Sequence, residues 1–270
     1  MQERHKNRKL YFDEQDYTTS KYVIPFIENF CKITSETTLL EIGCGEGGNL
    51  KPFMDLGCRC VGIDLNEGQI NNAKEYFSSH PNNGNLELIL RDIYEIDRED
   101  FTFDVIMLRD VIEHIHDQKK FMGFVKRFLK SGGIIFFAFP PWYMPFGGHQ
   151  QICSSKISKL PYLHLLPKGI YRWFLKSAGE QQKTIDDLLE IKETGISIER
   201  FQRILRKENY TILKRVLYFI NPNYEIKFHL KPRRMLPVLR SIPFFRNYYI
   251  TAGYYVVSID NKNPNDKVTE

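Results

Sequence analysis

The sequence predicts an α/β fold in which a mostly parallel sheet carries helices on both faces, and three observations support it. Short apolar runs at 39–42, 58–63, 86–90, 103–108 and 134–139 alternate with stretches of helical periodicity, the rhythm of strand-helix-strand crossovers. The first run breaks into Gly43, Gly45, Gly47 and Gly48, where absent side chains let the backbone turn sharply and approach a ligand. The second run stops on Asp64, about 20 residues further on, where a strand-end carboxylate can accept both hydroxyls of a ribose. By themselves the glycines also spell a dinucleotide fingerprint or a plain turn; glycines and acid together favour an adenosine-type ligand.

Each element follows in order. Residues 1–37 start polar with scattered aromatics (Tyr11, Phe12, Tyr17, Tyr22), then set Val23, Ile24, Phe26, Ile27 and Phe30 at helical spacing. A loop and helix are expected there, with the tyrosines either covering a ligand at the first strand's mouth or packing the helix down. After the glycines, 49–56 reads as a short helix tolerant of Pro52 in its first turns and ended by Gly57. Residues 67–77 form the next helix. Phe121, Phe124, Val125, Phe128 and Leu129 mark another, which Ser131-Gly132-Gly133 is expected to close before the fifth strand.

Past Pro140 the pattern changes. Residues 140–180 are rich in aromatics, prolines and bases and read as an insertion or lid, with Phe139-Pro140-Pro141-Trp142 as a kink. An amphipathic helix returns at 197–208, with Ile198, Phe201, Ile204 and Leu205 on one face. Residues 210–220 and 248–259 read as two long paired strands. Between them Lys227, Lys231, Arg233, Arg234, Arg240 and Arg246 are interleaved with Phe, Leu, Ile and Pro. The expected organisation is one domain over 1–270: helical cap (1–37), cofactor-binding core (38–140), lid (141–195), C-terminal helix and strands (196–260) and polar tail (261–270).

With 42% hydrophobic and 26% charged residues, the 270-residue chain can bury a sizeable core. A net charge of +5 is too mild to argue for a nucleic-acid protein. The five cysteines form neither Cys-x-x-Cys pairs nor a zinc ladder, and are expected as reduced thiols in a cytoplasmic protein. Neither a signal-peptide core nor a run of about 18 apolar residues is present in the sequence.

In this order the features resemble the class I S-adenosylmethionine-dependent methyltransferases over about residues 35–140. The matching stretches are Glu41-x-Gly43-x-Gly45-x-Gly47, Asp64, Asp92-Ile93 and Phe103-Asp104-Val105-Ile106. The resemblance implies a Rossmann-like three-layer sandwich whose mostly parallel seven-stranded sheet ends on an antiparallel strand. It also implies S-adenosylmethionine as cofactor: Gly43 and Gly45 toward the methionine moiety, Asp64 and Leu65 at ribose and adenine, Asp92 and Ile93 at the adenine edge, and Arg109 beside the methionine end. Glu41 beside the glycine turn suits a sulfonium cofactor, since a diphosphate would be repelled there.

Asp110-x-x-Glu113-His114 is similar to the acid-x-x-Glu-His pattern of ubiquinone-biosynthesis O-methyltransferases and small-RNA 2′-O-methyltransferases, with Asp110 in place of a Glu. By that resemblance Asp110, Glu113 and His114 hold a divalent metal, and on a helical turn they share one face, to which His149 in Phe146-Gly-Gly-His149 is expected to add a fourth ligand from the next loop; alternatively Glu113 and His114 cap or orient the active-site loop without a metal. His149 or His114 is the expected base for a hydroxyl acceptor. The function expected is methyl transfer to a small-molecule or lipid-linked acceptor, at oxygen, with no DNA substrate. The basic, aromatic segment adds an expected peripheral membrane contact. An RNA methyltransferase and a non-catalytic S-adenosylmethionine-binding protein stay as alternatives.

Overall fold

A computed structural model describes residues 7–259; residues 1–6 of the expected cap and the expected polar tail at 261–270 lie outside the described residues. Asn7 opens helix α1 (Arg8–Thr18), its side chain accepting the Leu10 N–H at 3.0 Å. A π-helical turn at Thr19–Val23 and the short α2 (Ile24–Ile27) complete this N-terminal unit.

Strands β1 (Thr38–Ile42), β2 (Arg59–Asp64), β3 (Leu86–Leu90), β4 (Phe103–Arg109) and β5 (Leu129–Phe139) are parallel, joined by crossovers that include α3 (Lys51–Asp55), α4 (Glu67–Phe77) and α5 (Gln118–Val125). Alternation along the strands divides the core. Leu40, Ile42, Ile106 and Leu108 face Phe121 of α5, whereas Leu39, Val105 and Met107 share the other core with Phe12, Phe26 and Phe53. Each such buried phenylalanine contributes roughly 1.5–3 kcal/mol.

Beyond β5 lie α6 (Lys168–Ser177) and α7 (Gln182–Thr194), which enclose a small core of their own around Leu163, Tyr171, Leu175 and Leu188. Next come α8 (Ile198–Lys207), β6 (Thr211–Ile220), α9 (Tyr224–Phe228), β7 (Arg233–Arg234), α10 (Pro237–Arg240) and β8 (Ala252–Ser258). The sheet order is β3-β2-β1-β4-β5-β8-β6-β7, with β8 antiparallel to both β5 and β6. The Rossmann-like sandwich and its antiparallel last strand are thus present, and the two-residue β7 adds an eighth strand at the edge.

Three local expectations are corrected. Ser131-Gly132-Gly133 does not close a helix; it is an irregularity inside β5, where Phe103 pairs with Leu129 but Val105 with Ile134. Gly132 supplies the positive φ of 76° that this detour needs. The last strand begins at Ala252, not near 248, because the Glu199 carboxylate accepts from the Phe244 N–H, the Arg246 guanidinium and the Asn247 amide, holding 245–248 as a 3-10 turn. Asp110 does not share a helical turn with Glu113 and His114. Its φ is +57° and its N–H donates to Ala138 O at 2.8 Å, so contact with β5 holds it out of the turn at Ile112–His114.

Candidate active site

Two cavities meet on the carboxyl ends of the strands, at the point where chain order reverses between β1 and β4, the place where open α/β sheets form a crevice. The larger, of about 490 Å³, is lined by Gly43, Gly45, Asp64, Leu65, Asp92, Ile93 and Arg109, with Arg8, Tyr11 and Gln15 from α1. Its size suits a nucleoside-sized ligand.

The glycines divide into two jobs. Gly43 (φ +71°) and Gly45 (φ +54°) border the cavity; a Cβ on Gly45 would approach nothing closer than Gln69 Oε1 at 3.4 Å, whereas one on Gly43 would strike Val111 Cγ2 at 2.5 Å, so Gly43 also admits the loop after β4. Gly47 and Gly48 do not line it. A Cβ on Gly47 would strike the Phe77 ring at 2.8 Å, and one on Gly48 the Phe12 carbonyl oxygen at 2.5 Å. These two admit α4 and α1 rather than a ligand.

Asp64 sits at the end of β2. Its Oδ2 accepts the Gly45 N–H and its Oδ1 the Asn66 N–H, each at 2.8 Å, which fixes the carboxylate while leaving a lone pair on each oxygen. Asp92 follows β3 and accepts the Tyr94 N–H at 2.9 Å, turning the chain so that Ile93 borders the cavity. Leu65 is 72% exposed at the rim, an apolar surface open to a ligand.

Glu41 lies wholly buried behind the cavity wall rather than in it. Its Oε1 accepts from Asn49 Nδ2 at 2.7 Å, and Asn49 Oδ1 accepts in turn from the Arg109 guanidinium at 2.7 Å and from Thr19 Oγ1 at 2.9 Å. Burial raises the Glu41 carboxyl to about 8, against the opposing Asn49 hydrogen bond and Arg109 charge. The network holds the buried Arg109 at the cavity edge. Asn49, Thr19 and the bidentate pair between Arg8 and the buried Glu46 (2.5 and 2.6 Å) carry no motif signal in the sequence. For Thr19 the one hint is a polar residue just ahead of the apolar helix pattern.

The second cavity, of about 300 Å³, shares Arg8, Tyr11, Gln69, Asp110 and His114 with the first and adds Glu113, Pro140, His149, Asn223 and Lys227. At the junction Glu113, His114 and His149 bring one ligand atom each within 4.8 Å of one another. Asp110, expected as a fourth member, falls outside that cluster but lines both cavities.

Glu113 is 3% exposed, and neither carboxylate oxygen has a hydrogen-bond partner among the described residues. Burial, then the Asp110 charge, pushes its carboxyl far up; burial also lowers His114, against Asp110 and Glu190. The imidazoles of His114 and His149 meet edge-on at 5.0 Å. His149, like Asp110, is a non-glycine residue at positive φ (+57°), so both sides of the junction hold strained backbone.

The strain at His149 is fixed from behind. A Cβ on Gly148 would lie 2.1 Å from His164 Cβ, and one on Gly147 2.3 Å from Trp142 O. His164 is itself pinned, with Nε2 2.7 Å from Trp142 O and its ring edge-on to the indole at 4.6 Å. Burial takes its imidazole down to about 4, so it is neutral near pH 7.

Residues 40–137 match a family model described as a methyltransferase domain. A ubiquinone biosynthesis O-methyltransferase of Rhodopseudomonas palustris (strain BisB5) is 35% identical over 138 residues, covering 50% of each chain. The chain spans about half or less of the length of the curated relatives it matches first. Among solved structures, a putative sarcosine dimethylglycine methyltransferase from Galdieria sulphuraria superposes with a TM-score of 0.59 at 15% identity, covering 93% of this chain and 86% of its own. Geranyl diphosphate C-methyltransferase from Streptomyces coelicolor A3(2) gives 0.56 at 14% identity, with 88% and 80% covered. At such identities the likeness is one of fold. The sequence match over 40–137 and the sheet order around it agree, and this stretch is a class I S-adenosylmethionine-dependent methyltransferase domain.

Proposed function

We propose that the protein transfers a methyl group from S-adenosylmethionine to a hydroxyl oxygen of a small or lipid-linked acceptor. The observation that carries this reading is the junction of two cavities at Glu113, His114 and His149: one, of about 490 Å³ and lined by Asp64 and Asp92, suits an adenosine, and the other opens from it past two imidazoles. Relatives named O-methyltransferase support the same chemistry.

Gly43 and Gly45 would give the cofactor close backbone approach, Asp64 would accept from the ribose, and Asp92 with Ile93 would border the adenine. S-adenosylmethionine supplies an electrophilic methyl on a cationic sulfur that leaves as a neutral thioether. The protein's share is alignment, exclusion of water and removal of the acceptor proton. Tyr11 and Gln69 border both cavities and would hold cofactor and acceptor in line. His149 or the buried His114 would take the proton as the oxygen–carbon bond forms; burial keeps His114 neutral and able to accept it.

The Glu113, His114 and His149 set also fits a divalent cation. A buried carboxylate with two unpartnered oxygens beside two imidazoles is costly unless a cation or proton satisfies it. Such a cation would supply positive charge that favours a deprotonated acceptor oxygen.

Calorimetric titration tests the reading. S-adenosylmethionine and S-adenosylhomocysteine are expected to bind the parent protein, and Asp64→Ala to weaken both at least about tenfold, the equivalent of roughly 1.4 kcal/mol. His149→Ala should spare binding and lower turnover on hydroxyl acceptors, with a chelator lowering it further in the parent. Folded protein that binds neither ligand would overturn the cofactor assignment; turnover indifferent to His149→Ala would remove that residue from the chemistry.

A further inference from the structure

We propose that the excursion between β6 and β8 is a docking face for an anionic lipid bilayer, placed so that the second cavity opens beside the membrane surface. Over residues 228–249 the chain exposes Leu236 (66%), Val238 (74%), Ile242, Phe244 (63%), Phe245 and Tyr249. Large apolar side chains this exposed within a few turns of chain mark an interaction surface rather than ordinary scatter.

The backbone beneath them is built and rigid. Glu199 accepts from the Phe244 N–H at 2.9 Å, Arg246 Nε at 3.0 Å and Asn247 Nδ2 at 2.6 Å, while the Arg246 guanidinium donates to Arg240 O at 3.1 Å and so ties α10 to the following turn. Phe244 is held at φ +62°, ψ −52°, a conformation phenylalanine rarely adopts, yet its ring projects into solvent. The turn itself holds this strain, with Phe244 O accepting from the Asn247 N–H at 3.1 Å and from Asn247 Nδ2 at 3.0 Å, so the exposed ring is fixed in one place.

Charge identifies that partner. Residues 226–250 contain no Asp or Glu, and Lys231, Arg233 and Arg234 are exposed beside the apolar set. Guanidinium and ammonium groups around exposed aliphatic and aromatic side chains match a boundary where anionic headgroups give way to acyl chains. The aliphatic Leu236, Val238 and Ile242 have no use on a nucleic acid, which would ask for stacking aromatics along a basic groove.

The face is continuous with the site. Asn223 and Lys227 at one end of the excursion and Thr251 at the other both line the second cavity. Tyr248 packs on Tyr143 and Tyr162 (5.6 and 6.3 Å between ring centroids), beside Met144 of the same cavity wall. An acceptor with an apolar tail would then pass from bilayer to cavity along one surface. Only this last step rests on the proposed function; the docking itself does not.

Flotation with phosphatidylcholine vesicles, with and without phosphatidylglycerol, tests the proposal on the full chain. The parent should float with the anionic vesicles at low salt. The pair Val238→Glu and Phe244→Gly, and separately Arg233→Ala with Arg234→Ala, should each reduce the bound fraction at least about tenfold. Glycine relieves the strain at Phe244, so the unfolding midpoint of the first pair should not fall, and S-adenosylmethionine binding, read apart from flotation, should be unchanged in both.

Folded parent that fails to float, or variants that float as the parent does, would overturn the docking face. Self-association that depends on Val238 and Phe244 without vesicle binding would overturn it in favour of a second copy of this chain. Salt-sensitive retention on RNA with no vesicle binding would overturn it in favour of a nucleic acid.

Discussion

Glu41 shows how one residue can be legible in the sequence and yet do something else in the structure. Its position beside the glycines marks the motif, but its carboxyl is buried behind the wall and positions Arg109 through Asn49. With the folded value raised from an ordinary value near 4.5 to about 8, the protonated form is favoured by folding. That contribution is fully present below pH 4.5 and is lost as pH rises through 8. Glu41→Gln keeps the acceptor for Asn49 without the charge. Between pH 5 and 8.5 the parent should therefore lose at least about 1.4 kcal/mol more stability than the variant, the equivalent of one unit. Urea midpoints at both pH values measure this; parallel curves would mean that Glu41 is not held protonated. Asp64 and Asp92, by contrast, stand where strand ends placed them in the sequence reading, because their backbone partners lie within a few residues or across one strand.

Elements with strong periodicity were equally legible. Helix α4 runs from Glu67 to Phe77 and β3 from Leu86 to Leu90, as their patterns predict, since Asn66 caps the one and apolar residues define the other. The glycines of β5 misled because glycine ends helices and also permits irregular strands, and only the partner strand selects between the two. The turn at His149 is the element on which the second cavity depends. In Gly148→Ala the new methyl would meet the pinned His164, so a loss of about 1–3 kcal/mol is expected. Turnover should fall with it, while cofactor affinity, which the proposed function assigns to the other cavity, should stay within about twofold. Denaturant unfolding and calorimetry on the same preparation read both. An unchanged midpoint would show that His164 yields and that the turn is not fixed by it.

At the scale of the whole molecule, no helix among the described residues is long and apolar enough to cross a membrane. Glu113, buried and without a hydrogen-bond partner among the described residues, is expected to make stability depend on what binds it. A divalent ion that prefers the folded state at about 100 times its dissociation constant adds roughly 2.7 kcal/mol. Mg²⁺, Mn²⁺ or Zn²⁺ should accordingly raise the parent's melting midpoint by several degrees, and Glu113→Gln should abolish the rise. A midpoint indifferent to all three ions in the parent would argue that the cluster only shapes the loop.

By itself the sequence determined the α/β class, the order of strands and helices through residue 140, and the strand-end places of Asp64 and Asp92 that line the larger cavity, because each rests on periodicity or on partners close in the chain. It also exposed the basic, apolar character of 226–249. What only the tertiary structure decided rests on contacts between distant residues: that Gly47 and Gly48 serve helix packing, that Thr19 and Asn49 position Arg109, and that His149 reaches Glu113 and His114. The pairings among Thr19, Asn49 and Arg109 are separated by 30 to 90 residues, and no local pattern encodes a contact that the fold makes across that distance.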